Sequence, residues 1–523
     1  MQYGIFSRNR WLFPDSEPTE GKRDVALRLL RGQTGAFQVI VDGLTVGDEL
    51  AWQSEGLSGL TLCFYCEKDV CVNRNTNDLQ NGALTTDRWE EICDQRVRQA
   101  PYRVYDALLP VADLRAEKVR EVFYVTAVPT AQAPAGQMHG RVMLLNGTRK
   151  LSIPLCITVA AKSLPASTLN LTNWFNIGNM ASRHGLEYGS DAHVETVKRY
   201  FSLLRECHNN VFWCTLEDMT VEKTEDGYRF DFSNAAKWAQ LALDYGAERL
   251  EWSPQISRPC WADPPFLIYD KTKKATVNVL STKGRKYLTA FLTQFNDFLT
   301  EKGWREISLV HVSDEPKENC ASDFRILCGI YRKYLPGIKL IDATEIYFIE
   351  EALDIYVPKN HYYQLNKNDF EALRDDRNEL WFYTCNMPGG AWLNRHLDAP
   401  LLNTRLLHWG NYRYHLTGYL HWGFNYLRDG QDPFEETSGG EGLPAGDTHI
   451  VYPFKEEPLR SLRFVQMLSG IEDYEILNAI AQKDKELANS LCKRGMRSFV
   501  EYITDVDAFD ALEQELVSAY DAL

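Results

Sequence analysis

The stretch Glu306-Ile-Ser-Leu-Val-His-Val-Ser-Asp-Glu-Pro316 decides the fold. Ile307, Leu309, Val310 and Val312 make a short apolar run suited to a buried strand, and the run stops at two adjacent carboxylates and a proline. A proline disfavours the helical region for the residue before it, so Glu315 is expected to be extended. Asp314 and Glu315 then stand at a strand's carboxyl end, where α/β barrels assemble their active sites. Taken alone, an Asp-Glu-Pro turn would serve equally well as a helix cap.

The rest of the chain favours the barrel. From about residue 168, short apolar runs alternate with long amphipathic stretches, the pattern of parallel βα units. Eight runs can be read: 169–177, 210–216, 249–253, 307–313, 339–343, 354–357, 380–386 and 418–426. Helix candidates over 192–207, 234–245, 284–302 and 321–334 separate several of them. Eight units match a (β/α)8 TIM barrel in number and size, and the Asp-Glu pair closes its fourth strand.

Residues 1–160 instead show short apolar runs punctuated by turn residues, as in a β-sandwich. The small, polar stretch 160–167 reads as a linker. Beyond the eighth strand, the Gly-, Asp- and Pro-rich segment 429–453 is too long for a simple connection and suits a site wall or lid. Helices are expected over 459–482 and 484–523. The expected architecture is thus a multidomain α/β plus β protein. It has an N-terminal β-sandwich (1–160), a central catalytic (β/α)8 barrel (168–453) and a C-terminal helical extension packed on the barrel (454–523).

Composition narrows the chemistry. The 523 residues carry a net charge of -15 and no extended basic run, which argues against a surface that tracks phosphates and hence against a nucleic-acid partner. The start, Met1-Gln-Tyr-Gly-Ile-Phe-Ser-Arg, has no basic, apolar leader pattern, and no span is long and apolar enough for a membrane. A cytoplasmic protein with reduced cysteines is therefore expected. Cys63-Phe-Tyr-Cys66, with Cys71 and Cys93, has a Cys-x-x-Cys core but no second ligand pair, so neither a metal nor a cofactor is expected.

Thirteen Trp and 26 Tyr supply rings for stacking on sugars. The strand ends bring Asn173 and Trp174, Trp252, Glu345, Asn360 and His361, Tyr383 and Asn386, and Trp422 and Asn425, and the long loop adds Asp447. Indoles, amides and carboxylates without a phosphate-binding glycine loop make a sugar binder's set, for a small oligosaccharide or glycoconjugate. Most glycosidases use two carboxylates across the scissile bond. Here the seventh run, 380–386, holds none, so a double displacement lacks its usual nucleophile. Adjacent carboxylates suit a substrate-assisted route, in which the sugar's own 2-acetamido oxygen attacks the anomeric carbon. Asp314 would orient the acetamide and Glu315 would protonate the leaving oxygen.

These residues resemble glycoside hydrolase family 123 and its relatives grouped as a domain of unknown function. The resemblance runs through Val312-Ser-Asp-Glu-Pro316, Leu380-Trp-Phe-Tyr-Thr-Cys-Asn386, Gly418-Tyr-Leu-His-Trp-Gly-Phe-Asn425, Gly446-Asp447 with Val451-Tyr-Pro453, and Ser461-Leu-Arg463 with Gly470-Ile-Glu-Asp-Tyr-Glu475. It implies an exo-acting β-N-acetylgalactosaminidase with Asp314 and Glu315 as its working pair. It also implies that the Tyr383 hydroxyl binds the acetamide carbonyl and that Trp422 stacks on the sugar. Two alternatives remain at this level. One is a glycosidase for a different sugar, either gluco-configured or without the acetamide, the latter recruiting Glu345 or Asp447 as nucleophile or base; the other is a catalytically idle carbohydrate-binding protein.

Overall fold

The computed structural model describes residues 1–76, 95–112, 114–260, 263–440 and 442–523, so Cys93 lies outside the described residues. The N-terminal part builds two sheets. One runs in the order Gln2–Ser7, Gly35–Asp42, Arg120–Pro129, Leu60–Val72, Tyr102–Pro110, Glu457–Ser461 and Tyr452–Phe454. The other runs Val25–Arg31, Arg149–Ser163, Gly136–Asn146 and Leu50–Glu55, antiparallel except where Val25–Arg31 pairs with Arg149–Ser163. Side chains two apart on a strand share a face, and these faces meet in one core. Val39, Val41, Phe123 and Val125 of the first sheet join Val142, Leu144, Ile153, Leu155 and Ile157 of the second. Burying each such side chain contributes about 1.5–3 kcal/mol.

Two boundaries differ from the sequence reading. The last strand continues to Ser163, into the expected linker, because its partner Val25–Arg31 offers pairing positions as far as Arg31. Residues 457–461 form a strand rather than a helix start, with Arg460 and Ser461 paired to Leu108 and Ala107 of the N-terminal sheet. The helix begins only at Leu462, where the Ser461 hydroxyl accepts the Phe464 N–H.

The central region is parallel α/β. Its strands are β1 (Asn170–Asn173), β2 (Val211–Cys214), β3 (Arg249–Trp252), β4 (Ser308–His311), β5 (Lys339–Thr344), β6 (Ile355–Pro358), β7 in two pieces (Glu379–Leu380 and Phe382–Thr384) and β8 (Gly418–His421). Each of the eight expected runs overlaps one of them. Backbone pairing runs from β2 through β6 to the first piece of β7, and from the second piece through β8 to β1. It does not continue between β1 and β2. There side chains bridge the strands: Leu171 N–H donates to Asn210 Oδ1 and Asn173 N–H to Asn209 Oδ1, both at 2.9 Å.

Three helices end the chain, Leu462–Ala481, Lys485–Gly495 and Val506–Ala522. The first carries no single apolar stripe; it is buried on all sides as far as Leu477. Its polar residues are matched accordingly. Asp473 pairs with Arg405 at 2.7 and 2.8 Å, and Glu472 accepts the N–H of Thr34, in the turn between the strands Val25–Arg31 and Gly35–Asp42. No helix among the described residues is long and apolar enough to cross a membrane.

Candidate active site

The carboxyl ends of the parallel strands surround a cavity of about 710 Å³. Of the expected residues, Trp174, Asp314, Glu315, Glu345, Tyr383, Asn386 and Trp422 line it, and Leu443 of the long loop contributes to its wall.

The backbone at the carboxylate pair differs from expectation. Glu315 has φ +43°, in the left-handed region, rather than extended. A non-glycine residue there costs on the order of 1–3 kcal/mol unless its surroundings fix it. Here they do. The Glu315 N–H donates to Ala343 O at 3.1 Å, and the Arg258 guanidinium donates to the carbonyls of both Asp314 and Glu315 at 2.8 Å. These bonds override the local preference set by Pro316 and turn both side chains into the cavity.

The two carboxylates have different neighbours. Burial, the adjacent Glu315 and the nearby Asp342 raise the Asp314 carboxyl well above the usual carboxylate range, against the opposing pull of His311 and Arg258. Glu315 is held by donors. The Tyr383 hydroxyl donates to its Oε1, and the ammonium groups of Lys359 and Lys317 lie 3.4 and 3.9 Å from its carboxylate. Both lysines also grip Glu345, Lys359 at 2.7 Å and Lys317 in a short contact. Lys359 is only 2% exposed, so these carboxylates are its counter-charges rather than solvent.

The aromatic lining falls into two groups. Trp174 stacks on Trp213 at 4.0 Å, and Trp422 packs against Tyr426 at 5.3 Å. Below the first group lies a fully buried polar set. His311 sits between Glu251 (2.6 Å) and Asp342 (3.2 Å), and Glu251 also accepts the Trp174 indole N–H at 3.0 Å. Burial alone would lower the His311 imidazole, but its bonds to Asp342 and Glu251 outweigh that and push it up to about 10.

Six expected binding residues are placed elsewhere. Asn173 is buried on Asn209 and Arg395. Trp252 faces the helix layer, donating to Ser308 and meeting Phe295 edge-on, because its neighbour Glu251 takes the inward position of β3. Asn360 donates to Leu393 O, and His361 is enclosed by Tyr362 and Trp392. Asn425 exchanges two hydrogen bonds with the Asn176 backbone, tying the loop after β8 to the loop after β1. Asp447 is fully buried near His421, where burial pushes its carboxyl up to about 7.

The sequence reading missed Lys317, Lys359, Trp213 and Tyr426. Lys359 directly precedes Asn360 at the end of β6, so strand-end position was the available signal. Among the described residues, no group of three His, Cys, Asp or Glu side chains could hold a metal ion.

The model of the glycoside hydrolase 123 catalytic domain matches residues 174–480. No curated protein matches the chain. Among solved structures, the fold is similar to that of a family 123 glycoside hydrolase from Clostridium perfringens, described for glycolipid glycan hydrolysis. The TM-score is 0.75 at 13% identity, covering 100% of this chain and 97% of that one. Weaker similarity extends to an exo-β-1,4-mannosidase from Opitutaceae bacterium strain TAV5 (TM-score 0.40, 12% identity, 60% of this chain and 61% of that chain). A β-glucuronidase from Parabacteroides merdae gives a TM-score of 0.33 at 9% identity, over 84% of this chain and 50% of that chain.

Proposed function

The chain belongs to the glycoside hydrolase 123 family, and from that premise we propose that it is an exo-acting enzyme removing terminal β-linked N-acetylgalactosamine with retention, through the substrate's own acetamide. The supporting observation is the set of carboxylates at the cavity. Asp314 and Glu315 are adjacent, Glu345 is gripped by two lysines, and β7 presents Tyr383 where a double displacement would place its nucleophile. A carboxylate held by two ammonium groups is a poor attacking group, whereas an acetamide oxygen needs no enzyme nucleophile.

In this reading the acetamide oxygen bonds to C1 as the C1–O bond to the leaving group breaks, and Glu315 gives its proton to the departing oxygen. Asp314 accepts the acetamide N–H. In the free enzyme burial and the adjacent Glu315 raise the Asp314 carboxyl toward the neutral acid. The arriving N–H donor favours its ionised form and leaves the pair's proton to Glu315. Glu315 then deprotonates the water that opens the cyclic intermediate. Trp422 stacks on the sugar, and Trp174 and Asn386 bound the pocket. The strands β1–β8 are read as a (β/α)8 barrel whose β1–β2 seam is bridged by Asn209 and Asn210. The chain is read as a β-sandwich that runs to Ser163 and takes in the strands of 452–461, a barrel from about residue 168, and C-terminal helices from Leu462. Given the C. perfringens relative, glycolipid-type glycans are the first natural substrates to try.

The test compares nitrophenyl β-glycosides of N-acetylgalactosamine, N-acetylglucosamine and galactose, with Asp314→Asn and Glu315→Gln alongside. Turnover confined to acetamido sugars and lost in both variants is expected. Turnover of the plain galactoside would remove the acetamide from the mechanism and turn attention to Glu345.

A further inference from the structure

Beneath the cavity, one buried chain of contacts joins an aromatic wall to the catalytic backbone. Both ring nitrogens of His311 face carboxylate oxygens, Nε2 that of Glu251 and Nδ1 that of Asp342. A carboxylate only accepts, so satisfying both requires a proton on each nitrogen, which is the imidazolium. Glu251 extends the chain in one direction, accepting the Trp174 indole N–H and, at 2.5 Å, the Thr172 hydroxyl. Asp342 extends it in the other, accepting the Ser313 backbone N–H at 2.9 Å, one residue before Asp314. Glu251, His311 and Asp342 are each 0% exposed. Such a set is costly to bury where apolar side chains would pack as well, so stability alone does not account for it. Both of its ends reach elements that line the cavity.

We propose that His311 is a positioning residue that, clamped between Glu251 and Asp342, locks the Trp174 indole and the Ser313–Asp314 backbone into one rigid unit. A sugar seated against Trp174 is thereby fixed relative to Asp314, although the strands that these two residues follow, β1 and β4, do not pair. The proposal rests on the assignment of Asp314 to catalysis and is independent of which sugar is cleaved.

The test uses whichever nitrophenyl β-glycoside the wild-type enzyme turns over. His311→Gln keeps one donor and loses the second along with the charge. At a temperature where circular dichroism shows the variant folded, kcat is expected to fall at least tenfold. Trp174→Phe is expected to raise KM several-fold in the wild-type background and less than twofold in the His311→Gln background. Wild-type kcat in folded His311→Gln, or an equal Trp174→Phe effect in both backgrounds, overturns the proposal. Should His311→Gln fail to fold, Glu251→Gln, which preserves shape and removes one holding charge, is judged by the same two criteria. Asp314→Asn separates the two levels. If it retains wild-type turnover, the assignment of Asp314 falls and the proposal with it; if it is inactive while His311→Gln is unaffected, only the positioning role falls.

Discussion

The Tyr383 hydroxyl donates its hydrogen bond to the Glu315 carboxylate. The family resemblance gives that hydroxyl to the acetamide carbonyl, so on binding it must leave Glu315 or be shared with it. In either case it is a donor aimed at charge that changes during the reaction. Tyr383→Phe keeps the ring, 5.3 Å from the Lys359 ammonium, and removes only the donor. Its kcat is expected to fall about 10²–10³-fold, the usual loss for a preorganised donor, with a smaller change in KM. Steady-state kinetics check this, and a variant within threefold of wild-type kcat would exclude the role.

Lys359 is the cation between two carboxylates, 2.7 Å from Glu345 and 3.4 Å from Glu315. Lys359→Met leaves both without their shared buried partner. The variant is expected to lose about 3–5 kcal/mol in urea unfolding, the range for breaking a buried pair from one side. Adding Glu345→Gln should recover part of that loss, since the two substitutions act on one contact and are not additive. Simple addition of the two effects would show that Glu345 does not depend on Lys359.

Strand identity was legible because the parallel strands fall in short, mostly apolar runs between amphipathic stretches, as Ser308–His311 does just before Asp314. Face was harder. Trp252 and Trp174 both stand at strand ends, yet the two-residue alternation turns Trp252 toward Phe295 and Trp174 into the cavity. The lysines were invisible for another reason. Lys317 and Lys359 follow different strands, and only the pairing of β4 with β5 and β5 with β6 brings them to the same Glu345. The left-handed Glu315 could not be foreseen either, since the guanidinium that holds its carbonyl comes from Arg258, far away in sequence.

Two groups with raised folded-state values, His311 and Asp447, each make stability fall as pH rises through their windows, whereas buried histidines held low, His396 and His408 at about 4, act in the opposite sense below pH 6.5. His311 is raised from 6.5 to about 10, so its contribution is complete below pH 6.5 and is lost as pH approaches 10. The titratable groups around it are Glu251 and Asp342, with Asp314 beyond them. Asp447 is raised from 3.8 to about 7, so the folded form binds a proton that the unfolded form has released between those values, and stability again declines with pH. Each group contributes a slope of at most about 1.4 kcal/mol per pH unit within its window. Urea midpoints from pH 4 to 10 check this. His311→Gln should flatten the curve above pH 6.5, and Asp447→Asn should flatten it below pH 7. A His311→Gln or Asp447→Asn curve that runs parallel to the wild type through its window would contradict that assignment.

Gly423 follows Trp422, the residue proposed to stack on the sugar, and a Cβ at this position would lie 2.1 Å from the backbone oxygen of Asp447. A backbone oxygen cannot swing away as a side chain can, so Gly423→Ala must push the end of β8 and the 447–448 segment apart. The Gly423 carbonyl is also bonded by the buried Arg395 guanidinium, which limits relaxation in the other direction. The variant is expected to lose about 1–3 kcal/mol, as overpacked sites do, and to raise KM more than it lowers kcat because Trp422 is displaced while Asp314 and Glu315 are not. Gly329→Ala is the control. It lies within the helix Ala321–Tyr334 with nothing inside 4 Å of the added carbon, and it should stabilise the fold by about 0.5–1 kcal/mol with kinetics unchanged. Thermal melts and steady-state kinetics on both variants decide the matter: equal KM values would mean that Trp422 does not hold the sugar.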